Sequence, residues 1–324
     1  MKTNLNKSIP IRPYKLMCLM CAQGGDLAHM PGREIIGRLS RAIMCAPNRP
    51  IQLLCHADGI FNYQNRRQVE PGPGSPLLNE KRDLDILQLL GLVPGDTRPA
   101  RDLLRRTIDK IKTARNLCGG TRAGTWRGCP RARTGRYERG IAAGIGALIS
   151  QRPADEKARA KTDSVRAILA TACLEIRPHH LLCMGCFHRG RNTVEPIVED
   201  NLAEAITVMQ RKPDIPVTLV RGCCMICPPC SSYDTRHNIC VGGISMSLRD
   251  QKRDLDVLRR LNLNYGDTLP ARVLMRRLFK AFKARRELCG FGDNIVRAPE
   301  WSICGAAAKP DAYAMARRHG MGIA

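Results

Sequence analysis

Aromatic side chains are scarce in this chain, at 4% of 324 residues. Its cores must therefore be built from Leu, Ile, Val, Met and Ala, and it offers few rings on which nucleic-acid bases can stack. Long apolar runs are missing as well. The best candidate, 141–150, falls well short of the roughly 18 apolar residues that a membrane-spanning helix needs, so no membrane span is expected. The apolar run 16–22 lacks the length of a signal-peptide core and has an internal twin at 181–187 that cannot serve as a signal. A cytoplasmic location is the expectation. Acidic residues are in deficit, 29 against 53 Lys and Arg, for a net charge of +24. Such a field favours nucleic acid, an anionic membrane surface or an acidic protein partner and says nothing about fold. The chain also carries no phosphate-binding glycine loop, no hydrolase triad and no radical-type Cys-x-x-x-Cys-x-x-Cys. No reaction is assigned to it, and whether it is an enzyme is left open.

What the chain has in abundance is cysteine, 16 in all. In a large chain expected in a reducing compartment, clustered cysteines point to a metal ion or an iron–sulfur cluster rather than to disulfides. Their arrangement follows an internal repeat. Ile11-Arg12-Pro13-Tyr14-Lys15-Leu16-Met17-Cys18-Leu19-Met20-Cys21 is written again as Ile176-Arg177-Pro178-His179-His180-Leu181-Leu182-Cys183-Met184-Gly185-Cys186. Further blocks recur in the same order. Pro50-Ile51-Gln52-Leu53 matches Pro216-Val217-Thr218-Leu219, each reading as a strand. Lys81-Arg82-Asp83-Leu84-Asp85 matches Lys252-Arg253-Asp254-Leu255-Asp256, each opening a Leu-rich helix. Gly95-Asp96-Thr97 matches Gly266-Asp267-Thr268, read as helix N-caps with Pro99 and Pro270 in the first turn. Leu103, Leu104, Ile108 and Ile111 share one helical face, as do Leu274, Met275, Phe279 and Phe282. These helices end at Cys118-Gly119 and Cys289-Gly290, with glycine in the C-cap position. Finally, Trp126-x-x-Cys129 matches Trp301-x-x-Cys304.

The expected architecture is α+β and mainly helical, internally duplicated into two homologous pseudo-symmetric copies with one or two short strands each. Residues 1–130 form the N-terminal copy, 131–172 a basic connector with a helix at 154–170, and 173–324 the cysteine-rich C-terminal copy. A lone strand is not stable, so the two strands are expected either to pair with each other across a pseudo-twofold axis or to meet strands not evident in the sequence.

Four cysteine positions occur in both copies: Cys18, Cys21, Cys118 and Cys129 in the first, Cys183, Cys186, Cys289 and Cys304 in the second. Four thiolates suit a tetrahedral zinc or a four-iron cluster, and Cys-x-x-Cys places two of them on one turn. The second copy adds Cys223, Cys224, Cys227, Cys230 and Cys240, where the first has only Cys55-His56. Cys45 and Cys173 lack counterparts and read as structural. Cys227-Pro228-Pro229-Cys230 also has the form of a redox dithiol, but no βαβ pattern surrounds it. His179 and His180 are read as a hydrogen-bonded pair that tunes the site and positions its thiolates. Asp254 and Asp256 leave a helix about 200° apart, which suits caps and arginine partners rather than paired acid–base catalysis.

Arg177-Pro178-His179-His180-Leu181-Leu182-Cys183, followed by Ile226-Cys227-x-x-Cys230, Cys240 and an Arg-Asp-x-x-x-Leu helix, resembles domain-of-unknown-function family 1284, a family of iron–sulfur proteins. The resemblance covers about 176–290 and, more faintly, 11–118, where Tyr14-Lys15 replace the His pair. It implies Cys183, Cys227, Cys230 and Cys240 as the ligands of one cluster. Comparison of the copies instead groups Cys183 with Cys186, Cys289 and Cys304, with Cys223 or Cys224 as further candidates for a second site. Cys18, Cys21, Cys118 and Cys129 make the candidate N-terminal site.

The functional expectation is an iron–sulfur protein, with a 4Fe-4S cluster, that transfers or senses electrons with an acidic redox partner. The alternative is a nucleic-acid-binding protein stabilised by structural zinc or a cluster, with the same cysteines as ligands. Its phosphate contacts would come from the basic stretches, where 98–139 carries 13 Lys and Arg against 3 acids and 271–286 carries 7 against none.

Overall fold

The computed structural model describes residues 8–27, 30, 32–55, 72–121, 124–149, 152–235, 238–241, 248–289 and 312–323. The chain divides into two compact units, Met1–Gln151 and Arg152–Ala324.

The first unit is built on a three-stranded sheet. Strand β1 (Ile9–Ile11) leads through Arg12 and Pro13 into α1 (Tyr14–Gln23), and α2 (Arg33–Cys45) returns to β2 (Pro50–Leu53). Strand β2 runs parallel to β1, with Ile11 opposite Leu53, and antiparallel to β3 (Thr97–Pro99), with Pro50 opposite Pro99. Between them lies α3 (Pro76–Leu90), and after them come α4 (Ala100–Lys110), α5 (Arg115–Cys118) and α6 (Arg136–Ala142). The alternate residues Ile51 and Leu53 of the central strand join Leu103, Leu104 and Ile111 in the core, as their apolar spacing requires.

The second unit repeats this order after a long helix, α7 (Ala154–Ala170). Strand β4 (Leu174–Ile176) leads into α8 (Pro178–His188), α9 (Leu202–Arg211) and β5 (Pro216–Leu219). A two-stranded hairpin, β6 (Tyr233–Asp234) with β7 (Ile239–Cys240), precedes α10 (Leu248–Leu261), β8 (Thr268–Pro270), α11 (Ala271–Ala281), α12 (Arg286–Cys289) and α13 (Ala312–His319). Strand β5 is parallel to β4, Ile176 opposite Leu219, and antiparallel to β8, Pro216 opposite Pro270. Its core gathers Val217, Leu219, Leu274, Met275, Phe279 and Phe282.

Of the two pairings expected for β2 and β5, with each other or with strands not evident in the sequence, the second holds, because each is hydrogen-bonded on both edges within its own sheet. Other expectations change. The partners are the Asp96-Thr97 and Asp267-Thr268 segments, read from sequence as helix caps. Asp96 and Asp267 instead accept the amides of Val93 and Asn264 in a turn, and Pro99 and Pro270 close short edge strands, where a missing N–H costs least. The helices ending at Cys118 and Cys289 are broken after Lys110 and Ala281 into two pieces each. Gly119 has φ −75° and is no left-handed cap. Residues 131–172 are not a plain connector either. Tyr137, Leu148 and Ile149 are core residues of the first unit, and Ile168 of α7 is in the core of the second.

Candidate metal centre

The repeated Lys-Arg-Asp-x-Asp blocks anchor the repeated Arg-Pro motifs. In the second unit Arg177 donates twice to Asp254 Oδ2, at 3.0 and 2.7 Å, while the amide and Nδ1 of His179 meet Oδ1 at 3.0 and 2.7 Å. In the first unit Arg12 Nε donates to Asp83 Oδ2 at 2.6 Å and the Tyr14 amide to Oδ1 at 3.1 Å. Each helix bearing Cys-x-x-Cys thus has its N-terminus seated on a buried carboxylate, a favourable place for negative charge. Lys81–Asp85 and Lys252–Asp256 form i, i+4 pairs on the outer faces.

Beside Asp254 the two histidines part. His179 is held by the carboxylate, with its ring edge-on to His180 at 4.6 Å. His180 Nδ1 stands 3.2 Å from Cys224 Sγ. The ligand atoms of His180, Cys224 and Cys227 all lie within 4.8 Å of one another, a group able to hold a metal ion. Burial lowers the pKa of both imidazoles, with each other's charge adding to the effect at His179. A neutral imidazole is the ligating form. Cys227 is shifted in the opposite direction to Cys223 and Cys224. Thiol donors from Cys223 and Cys224 and the Cys224 amide, at 3.4 Å, hold it well below the ordinary cysteine range.

The loop that delivers these sulfurs is a run of tight turns. Cys227 N donates to Cys224 O and Cys230 N to Cys227 O, both at 2.9 Å, and Tyr233 N to Cys230 O at 3.0 Å. Cysteines three residues apart are thereby stacked on successive turns. The β6–β7 hairpin then sets Cys240 opposite Tyr233, which explains the nine-residue gap after Cys230. Irregular backbone needs outside partners. Asn201, fully buried, donates from Nδ2 to Met225 O and from its amide to Ile226 O, Met225 N donates to Glu175 O, and Arg152 donates to Pro228 O. Asn201 and Arg152 were not singled out from sequence. The signal for them was Asn201 at a helix start, a polar residue with nothing nearby in sequence to bond.

Cys183 lies on α8 at i+3 from His180 and hence on the adjoining stretch of the same face. Its charge acts on Arg253, as does that of Cys289, and Arg253 Nη2 donates to Cys289 Sγ at 2.9 Å. Cys186 is one turn further on. Cys304 lies outside the described residues, as does His56, and of the expected group Cys183, Cys186, Cys289 and Cys304 the structure relates Cys183 and Cys289, through Arg253. Of the set implied by the family resemblance, Cys227 acts electrostatically on Cys230, and Cys240 on Cys223.

The first unit brings together its four repeated cysteines. Cys18 and Cys21 on α1, Cys118 at the end of α5 and Cys129 line one cavity with Arg82 and Arg131. Cys129 N donates to Cys118 O at 2.8 Å, so the intervening loop doubles back on itself. It does so past Gly128, where a Cβ would fall 2.2 Å from the Gly120 nitrogen. Burial, reinforced by the neighbouring thiols, raises Cys18 and pushes Cys21 up to about 12. Arg82 Nη1 lies 3.9 Å from Cys118 Sγ, in the place Arg253 holds beside Cys289. The first unit has no described counterpart of the His180 group. Tyr14 and Lys15 stand where the histidines would be, and Cys55 is buried.

No helix among the described residues is long and apolar enough to cross a membrane. No protein-family model, curated protein or solved structure matches the chain, so the resemblance to domain-of-unknown-function family 1284 rests on the residues quoted for it.

Proposed function

We propose that this chain is an iron–sulfur protein that passes or senses electrons with an acidic protein partner, its principal cluster held by the cysteine-rich loop of the second unit. The observation that carries the reading is the convergence of His180 of α8 with Cys224 and Cys227 of a segment that also presents Cys223, Cys230 and, on β7, Cys240. So many thiols exceed what one structural ion needs, and clusters are held by such thiolates, their potential set by charge and by hydrogen bonds to sulfur. The family resemblance would add Cys183, one helical turn from His180. A net charge of +24 would speed encounter with an acidic partner. The shared strand order, the paired Arg–Asp anchors and the paired Arg–Cys contacts support descent of the two units from one duplicated ancestor.

A second reading, structural zinc in a nucleic-acid-binding protein, is favoured by two features. The 4.8 Å span of the His180 group suits a single ion. An open pocket of about 480 Å³ is lined by Arg276, Phe279, Lys280, Arg317, Arg318, His319 and Gly320, with no carboxylate among the described residues of its walls, a setting for phosphate.

Anaerobic purification followed by a visible spectrum and a count of iron, sulfide and zinc separates the two. The first reading expects a coloured protein that loses iron when Cys227 is replaced by Ser. A colourless, zinc-loaded sample would sink electron transfer, and salt-sensitive binding of random RNA or DNA by that sample would establish the second.

A further inference from the structure

We propose that the first unit holds a four-iron cluster of its own, ligated by Cys18, Cys21, Cys118 and Cys129. This site is separate from the His180 group and shares only its chemistry. Three observations carry it. The first is convergence: the four thiols come from a helix, the end of a second helix and a loop that returns to it, yet all face one cavity. Core cysteines placed for packing alone have no reason to share a single void.

The second is unpaired donors. Two guanidinium groups, Arg82 and Arg131, also line the cavity. Arg82 donates from Nη1 to Pro73 O and from Nη2 to Asn79 Oδ1, at 3.0 and 2.6 Å, but Arg82 Nε and Arg131 Nη1 are both buried with no hydrogen-bond partner among the described residues. Buried donors left unpaired are costly. Four thiolates around a four-iron core of charge 2+ carry a net charge of 2−. That anion, with sulfide acceptors, answers both guanidinium groups. Binding releases the four thiol protons, which keeps the charge balance.

The third is span. A zinc ion with bonds of about 2.3 Å draws its four sulfurs to about 3.8 Å of one another. Among the described residues the one group with three ligand atoms within 4.8 Å is His180, Cys224 and Cys227. No three of the sulfurs of Cys18, Cys21, Cys118 and Cys129 form such a group, and in a four-iron cluster each sulfur binds a different iron.

The test uses the full chain purified without oxygen. Iron, sulfide and zinc are counted for wild type, for the Cys18→Ser/Cys21→Ser double variant, and for Cys45→Ser, an exposed cysteine outside the cavity lining. The double variant is expected to lose about four iron and four sulfide per chain while Cys45→Ser keeps the wild-type content. Full retention of iron and sulfide by the double variant overturns the proposal, as does loss of one zinc with no iron. Cys227→Ser reads the second unit separately, so that failure at either site is distinguishable. To exclude simple misfolding, native wild type is alkylated before and after an iron chelator strips it. Cys21 and Cys129, both half-buried, are expected to become reactive together, and unchanged reactivity overturns the proposal.

Discussion

Asp254 illustrates how one residue can organise a site without belonging to it. Its two oxygens hold Arg177 and both the amide and the ring of His179, and it is 1% exposed. Asp254→Asn keeps the shape and removes the charge, leaving Arg177 buried and uncompensated. A loss of about 3–5 kcal/mol is expected from urea unfolding, with Asp256→Asn, on the outer face, within about 0.5 kcal/mol of wild type. A smaller carboxylate effect has a defined pH signature. Glu287 is partly buried, which by itself would raise its pKa. Arg260 and the amides of Lys283 and Ala284 outweigh this and hold it below its ordinary value of 4.5. The folded state therefore binds the proton less readily than the unfolded chain. Its contribution is present above pH 4.5 and is lost as pH falls through the folded value. Glu287→Gln should cost about 1 kcal/mol at pH 6, as a lost cap does, and the gap to wild type should close in acid. Stability curves between pH 6 and 3 check this, and a gap that widens in acid would contradict it.

At the scale of elements, the cysteine helices are held by close packing as well as by their anchors. Helix α6 lies so near α1 that a Cβ on Gly140 would fall 1.8 Å from Met20 O. Backbone on backbone leaves no flexible side chain to yield. Gly140→Ala should force the helices apart, lower stability by about 1–3 kcal/mol in a denaturation midpoint, and expose Cys18 and Cys21 to alkylation. A fully stable variant with unchanged thiol reactivity would show that the contact is looser than the structure has it. Helix α6 escaped sequence reading because Arg136-Tyr137-Glu138-Arg139 sits in a stretch whose Arg, Ala and Gly content suggests a linker. Only the docking of Tyr137, whose hydroxyl donates to Ile111 O at 2.8 Å, makes it part of the unit. The strands β3 and β8 escaped for a related reason. Three residues ending in proline carry no periodicity, and what makes them strands is the neighbouring edge they pair with.

For the whole molecule, two separate cores make a testable statement about coupling. Asp83 and Asp254 anchor different units and share no described partner. The destabilisation of Asp83→Asn/Asp254→Asn should therefore equal the sum of the single changes to within about 0.5 kcal/mol, measured as total unfolding free energy. A clear departure from additivity would mean that the two anchors are energetically coupled.

The sequence by itself determined which residues repeat, which faces of the amphipathic helices are buried, and which cysteines deserve to be considered together. Those properties are local or periodic, and one chain compared with itself reveals them. That Cys18, Cys21, Cys118 and Cys129 deserve to be considered together was legible from the matching sequence blocks, and in the structure the four line one cavity. What only the tertiary structure decided is which polar group meets which sulfur. His180 and not His179 faces Cys224. Arg82 and Arg253 reach Cys118 and Cys289, 36 residues further along the chain. Asn201 holds a loop that begins more than twenty residues away. Such partners are chosen by where the backbone, folded around its two cores, happens to bring unsatisfied donors and acceptors. No spacing along the chain encodes that distance.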